Sequence, residues 1–286
     1  MSYQIITDSC CDLPAELIAS LGLHIVPLTL NFRGQVYKEV TEEDIKTVYA
    51  GLRTGDVATT SAANPEDWAY YMEPVLAEGK DVLVLAFSSG LSTTYQSAVI
   101  AAADLMEKYP QRQVKVVDTL CASMGQGLLV WYACRKQAEG QTLEQVWQWV
   151  EDHKLNLCHW FTVDDLMYLK RGGRVSAATA VLGTMLNIKP VMHVDDEGHL
   201  IKVTTARGRK ASMEALAAKV AATGLPGEND TVFISHGDCI EDARFLEKLM
   251  KETYGAKEVI VNYVGAVIGS HSGPGTMALF FLGSKR

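Results

Sequence analysis

DVLVLAFSSGLSTTYQSAVIAAADLMEKY, Asp81–Tyr109, decides the fold class. Val82–Phe87 is a continuous apolar run, where a half-buried strand would alternate. Such a run reads as a central strand covered on both faces, the habit of parallel sheets. SSGLS (Ser88–Ser92) follows, then an Ala-rich helix, Thr93–Tyr109. A strand, a Gly-bearing turn and a helix N-terminus form the place where open α/β sheets bind ligands. The free N–H groups and the dipole of that helix favour an anion there. Ser92 reads either as a simple N-cap or as a hydroxyl offered to a bound oxygen. GLSTT has no Lys after its glycine, so it is not a phosphate loop, and it is not a GxSxG nucleophile elbow.

The flanking segments extend the same alternation. Tyr3–Thr7 reads as a buried strand, and TDSCCDLP (Thr7–Pro14) turns into a helix, Ala15–Leu21, with Asp12 as N-cap and Gly22 as stop. His24–Phe32 reads as one strand, and a helix runs from Thr41 or Glu42 to Leu52. ATTSAANP (Ala58–Pro65) reads as a polar loop, with Asn64 capping a helix to about Glu78. Taken alone, Thr59, Thr60 and Ser61 are ordinary loop hydroxyls. Val114–Val117 is a strand, and DTLCASMGQG (Asp118–Gly127) leads into a helix to about Glu139. Thr142 and Gln145 make a capping box for Leu143–His153, where Trp147 and Trp149 read as packing residues. The β-α repetition predicts a mostly parallel sheet in a first α/β domain, 1–156.

A second, smaller α/β domain with a mixed sheet is expected over 157–286. Cys158–Val163 is a strand; DLMYLKRGGRVS (Asp165–Ser176) is a short helix ending in two glycines; Ala177–Leu186 is a helix closed by LNIKP. Lys189–Val194 and His199–Thr205 flank Asp195-Asp196-Glu197-Gly198 as a hairpin. A basic patch of Arg207, Arg209 and Lys210 opens the helix Ala211–Ala222. Thr231–His236, a helix from Ile240 to Tyr254, and Lys257–Val264 form a further β-α-β unit.

GAVIGSHSGPGT, Gly265–Thr276, then reads as a Gly-rich loop before a terminal strand, Met277–Leu282. Glycine lets backbone N–H groups approach a ligand closely, and successive ones, Gly269 among them, make an anion-binding concavity. His271 adds an imidazole able to donate one hydrogen bond and to change charge near neutrality. The plain alternative is a tight turn with a solvent-facing His.

The totals narrow the function classes. With 286 residues, 48% hydrophobic and 21% charged, the chain is long enough for one large or two ordinary domains. A net charge of −8 argues against general nucleic-acid binding, which leans on a basic face. Six scattered cysteines without a CxxC pair argue against a structural zinc site or a disulfide scaffold. No metal is expected. There is no signal-peptide pattern and no apolar run long enough to span a bilayer, so a cytoplasmic location is expected.

Several of these segments together resemble the DegV family of bacterial fatty-acid-binding proteins: TDSCCDLP, VPLTL (Val26–Leu30), FSSGLSTTYQSA (Phe87–Ala98), VVD (Val116–Asp118), DLMYLKRGGRVS, LNIKP and GSHSGPG. The resemblance covers essentially the whole chain. It implies two α/β domains with a long-chain fatty acid between them, its carboxylate gripped by hydroxyls and an imidazole and its tail in an apolar tunnel. No separate cofactor is implied. Several members of the family are carrier subunits of bacterial fatty acid kinase. They present the carboxylate to a separate ATP-dependent kinase subunit that makes the acyl-phosphate used in phospholipid synthesis. The carrier itself is then not an enzyme.

The resemblance assigns Thr60, with Ser61 adjacent, Ser92 and His271 to the carboxylate. Arg174 goes to the head-group neighbourhood, and Arg207, with Arg209 as a rival, to docking of the kinase. The family pattern TSQP is here Ser61-Ala62-Ala63-Asn64, which removes an amide. The Gly that usually follows LS is here Thr93, which adds a β-branched side chain beside the carboxylate position. The competing readings are a serine-type acyl hydrolase built on Ser92, His271 and Asp8 or Asp118, and a carrier or sensor of another amphipathic acid.

Overall fold

The computed structural model describes residues 2–176 and 187–286. In chain order, β1 (Tyr3–Asp8), α1 (Ala15–Leu21), β2 (His24–Val26), β3 (Thr29–Phe32) and β4 (Gln35–Tyr37) come first. Next are α2 (Glu42–Arg53), β5 (Ala58–Ser61), α3 (Pro65–Ala77), β6 (Asp81–Ala86), α4 (Thr94–Lys108), β7 (Val114–Asp118), α5 (Met124–Ala138) and α6 (Leu143–His153). The second half begins with β8 (Leu157–Thr162) and α7 (Leu166–Arg171), and resumes with β9 (Ile188–Val194), β10 (Leu200–Arg207) and α8 (Arg209–Thr223). It closes with β11 (Thr231–His236), α9 (Ile240–Tyr254), β12 (Glu258–Tyr263), α10 (Ala266–Ser272) and β13 (Met277–Leu282). The helix expected over Ala177–Leu186 lies outside the described residues.

The apolar run that opened the sequence reading is β6, and all six of its residues are buried. It lies in a four-stranded parallel sheet of order β2-β1-β6-β7. Its pleat divides it between two cores: Val82, Val84 and Ala86 pack on one side, Leu83 and Leu85 on the other. Three predicted helix starts have full capping boxes, Thr41/Asp44, Asn64/Asp67 and Thr142/Gln145. The second sheet is mixed, in the order β10-β9-β8-β13-β11-β12, with only β11 and β12 parallel. The second half has fewer residues but the larger sheet.

Between the sheets runs α5, with ten of its 15 residues buried. It belongs to a core that joins Leu83 and Leu85 of the first sheet to Phe161, Phe233 and Phe280 of the second. No described helix is long and apolar enough to cross a membrane.

Four expectations need correction. The strand foreseen over His24–Phe32 is two strands. Pro27 has no N–H for a ladder, and after it the chain leaves the parallel sheet: β3 pairs with β4 and β5 in a separate three-stranded antiparallel sheet. The hydroxyl-rich segment is therefore the strand β5, not a loop. Asp12 does not cap α1. It takes a left-handed conformation, φ 51°, after a 3₁₀ turn at Ser9–Cys11, and its carboxyl is buried; Pro14 stands at the N-cap. Lastly, the stretch read as a Gly-rich loop contains the short helix α10, because its apolar residues Ala266 and Val267 are buried.

Candidate functional site

A cavity of about 430 Å³ opens where β5, the β6–α4 turn, α7, α10 and the inner face of the second sheet meet. That is within the size range of small-molecule sites, roughly 300–1,000 Å³. Its walls are mostly apolar. On β13, Ala278 and Phe280 share a face by alternation, with Thr276 just before the strand, and all three line the cavity. Facing them on β8 are Phe161, opposite Ala278, and His159, opposite Phe280. From Thr276 to Phe280 this wall extends about 14 Å. Phe87, Leu91, Leu169 and Val267 are among the other apolar lining residues.

Polar groups gather along an unbroken line of contacts. Thr60 Oγ1 lies 2.7 Å from His271 Nε2, a hydrogen bond between β5 and the last turn of α10. The other ring nitrogen, Nδ1, lies against Gly172, where a Cβ would collide with it. This close approach explains the first glycine of the KRGGR turn. The Gly172 carbonyl accepts from Arg174 Nη1. Arg174 Nε and Nη2 also donate to the Leu91 carbonyl at 3.2 and 3.0 Å, so the guanidinium grips the turn that carries Ser92. Ser92 Oγ accepts from Thr94 N–H at 3.2 Å and shares a proton with Thr94 Oγ1 at 2.8 Å. The N-cap position falls to Thr93, which makes no side-chain capping bond, so Ser92 is not the N-cap; its hydroxyl lies just before the helix and lines the cavity. The same turn is fixed from the other side. A Cβ on Gly90 would lie 2.8 Å from the Glu197 and Gly198 carbonyl oxygens, and Ser88 Oγ donates to Gly198 O at 2.9 Å.

The electrostatics suit an anion. Burial, with Arg174 adding to it, pushes the His271 pKa down to about 4, so the ring is neutral at pH 7. Burial also lowers the pKa of Arg174, but a guanidinium keeps its charge. Among the described residues no carboxylate pairs with Arg174, leaving a half-buried cation beside an apolar cavity. Desolvating a charge without a partner is costly, and an incoming carboxylate would relieve that cost.

Of the residues named from the sequence, Thr60, Ser61, Ser92, Thr93, His271 and Arg174 line this one cavity. Gly269 does not. Its N–H donates to Gly265 O within α10, and its Cα side is filled by the Tyr49 ring. Arg207 does not either, being exposed at the end of β10. A hydrolytic triad on Ser92 lacks its geometry. His271 bonds to Thr60 rather than Ser92, Asp8 accepts from Phe87 and Cys10 N–H, and Asp118 accepts from Ser89 and Leu120 N–H. Sequence reasoning missed His159, Phe161, Ala278 and Phe280 on the sheet wall, and also Ser123 and Ser235, which line the cavity as well. The period-2 pattern of β8 and β13 holds the first four, but both strands are buried on both faces, so periodicity alone does not say which face meets a ligand. No described cluster of three or more His, Cys, Asp or Glu side chains is arranged to hold a metal.

Comparison with known proteins agrees with this architecture. The chain is 41% identical over 286 residues to a DegV domain-containing protein of Clostridium perfringens, covering 99% of this chain and 98% of that one. Among solved structures, a DegV family protein from Thermus thermophilus described by its fatty acid binding superposes with a TM-score of 0.86 at 36% identity, covering 99% of this chain and 100% of that one. A DegV lipid-binding protein from Thermotoga maritima does so with 0.86 at 30%, covering 100% of each. The family model described as "Uncharacterised protein, DegV family" matches residues 2–284, and the chain belongs to that family.

Proposed function

We propose that this protein binds a long-chain fatty acid, with the tail along β13 and the carboxylate among Thr60, Ser92, His271 and Arg174, and carries it to a separate ATP-dependent kinase subunit in the cytoplasm. The observation that carries the reading is the guanidinium of Arg174, without a carboxylate partner among the described residues, set with two hydroxyls and a neutral imidazole at a mostly apolar cavity. A carboxylate offers roughly four lone-pair sites. Ser92 and Arg174 supply donors. When the His271 proton sits on Nε2, the ring donates to Thr60, and the Thr60 hydroxyl is free to donate to the ligand. Ser61 and Thr93 flank these groups.

The tail supplies most of the affinity. At about 0.8 kcal/mol per buried methylene, a long chain gains roughly 10 kcal/mol before the ordering costs of association. The head-group contacts therefore orient more than they bind. That suits a carrier whose carboxylate must stay open to phosphorylation, with Arg207 at the exposed end of β10 as the docking residue for the kinase. The direct test is native mass spectrometry of protein purified from bacterial cells, followed by lipid extraction. A co-purified fatty acid is expected; a different amphipathic acid would overturn the ligand assignment.

A further inference from the structure

The lipid-carrier reading leaves the cavity-lining Ser123 without a task. Ser123 stands between β7 and α5 at φ 54°, ψ −147°, a region that essentially only glycine occupies. Leu120, three residues earlier, also has a positive φ of 53°. The turn is pinned from outside: the Arg286 guanidinium donates to Leu120 O at 2.7 Å. A serine strained at a sharp strand-to-helix turn is the backbone of a nucleophile elbow. The local sequence Cys121-Ala122-Ser123-Met124-Gly125 matches G-x-S-x-G except that Cys replaces the first glycine, which is why the sequence pattern did not reveal it.

The side chain is also placed for chemistry. Ser123 Oγ donates to Asp12 Oδ2 at 2.6 Å, and Ser235 Oγ lies 3.0 Å away on the other side. Asp12 is buried, and Gly265 N–H is its other donor. The Met124 N–H, at the first position of α5, has no intrahelical partner, and the Ser123 side chain makes no capping bond to the helix. His159 is nearby, but its Nε2 faces Ala122 N–H at 3.4 Å and not Ser123.

We propose that Ser123 is a nucleophile toward long-chain acyl esters held in this cavity, with Asp12 as its base and Met124 N–H as the donor to the developing oxyanion. The proposal rests on the lipid-binding reading, because the same apolar walls take the acyl chain. In the first step Ser123 Oγ bonds to the ester carbonyl carbon and its proton passes to Asp12. The bond to the alcohol oxygen then breaks, and the alcohol leaves with that proton. Water attacks the acyl-serine, its proton returns through Asp12 to Ser123 Oγ, and the free fatty acid remains in the cavity. Ester and water become acid and alcohol, with no other reactant. Burial raises the Asp12 pKa to about 7, with Asp8 adding to it. Cys10, Cys11 and Tyr49 also face that carboxyl.

The test uses delipidated full-length protein and an alkyl fluorophosphonate, read by intact mass and peptide mapping, with fatty-acid binding measured on the same sample. A single adduct on Ser123 is expected. Its rate should rise with pH through the ionisation of Asp12, and Asp12→Asn should slow it at least tenfold. Ser123→Gly suits the local backbone, so it should fold, bind fatty acid and form no adduct. A sample that binds fatty acid but gives no adduct, or one on Ser92, overturns the proposal and leaves the carrier reading standing. Loss of both adduct and fatty-acid binding in folded wild-type protein overturns both.

Discussion

Ala278→Leu tests whether the wall along β13 holds an acyl tail. Ala278 lies between Ser235 and Phe161 in the second sheet, is 5% exposed, and lines the cavity. A leucine there sends three more carbons into space that the tail would occupy. Each displaced methylene forfeits about 0.8 kcal/mol, so three cost about 2.4 kcal/mol, or roughly 50-fold in affinity at 1.4 kcal/mol per factor of ten. The loss should depend on length. An acid too short to reach Ala278 should bind the variant and the wild type alike, and the gap should open and then level off as methylenes are added. The same leucine fills a void, so the lipid-free variant should be at least as stable as wild type. Isothermal titration with saturated acids of increasing length, alongside urea unfolding, measures both. A loss that is equal for short and long acids would refute the reasoning, since the substitution would then be acting on the head-group end or on the fold.

Gly172→Ala puts a Cβ where His271 Nδ1 lies. It should displace the imidazole, break the Thr60–His271 bond and reduce acyl-phosphate formation by a partner kinase more than lipid binding; equal losses would mean that the head-group contacts carry the affinity. Burial and Arg174 hold the His271 pKa at about 4, and a neighbouring carboxylate favours the protonated ring. Its NMR titration midpoint should therefore rise when fatty acid binds, and an unchanged midpoint would place the carboxylate elsewhere. Burial raises Asp12 from 3.8 to about 7. Its contribution to stability is full below the unfolded value and is lost as pH rises through the folded one. The stability of wild type relative to Asp12→Asn, from urea unfolding, should therefore fall as pH is raised from 3.8 to 7; a constant difference would contradict the buried-acid assignment.

Much of this was readable from residue pattern. The apolar run of β6 announced a central parallel strand, and side-chain chemistry at Thr41, Asn64 and Thr142 fixed three helix starts. Thr60, Ser61, Ser92, His271 and Arg174, the positions carried over by family resemblance to the ligand's acid end, line a single cavity. What failed had tertiary causes. Glycine count argued for a loop at Gly265–Thr276, but of its glycines only Gly273 and Gly275 have positive φ, and packing holds Ala266–Ser272 helical. Asp12 had the chemistry of a helix cap, yet its carboxyl is taken by Ser123, a partner 111 residues away. No local pattern predicts such a pairing. Arg207, which the resemblance set apart for partner docking, ends the edge strand β10 and does not line the cavity.

The burial of α5 against both sheets has a consequence for handling the chain in pieces. Severed between 156 and 157, the polypeptide would yield two fragments, each with half of a greasy seam bared to water. Neither would be expected to persist alone, and mixing them should restore a complemented whole, with lipid capture returning only on reassembly.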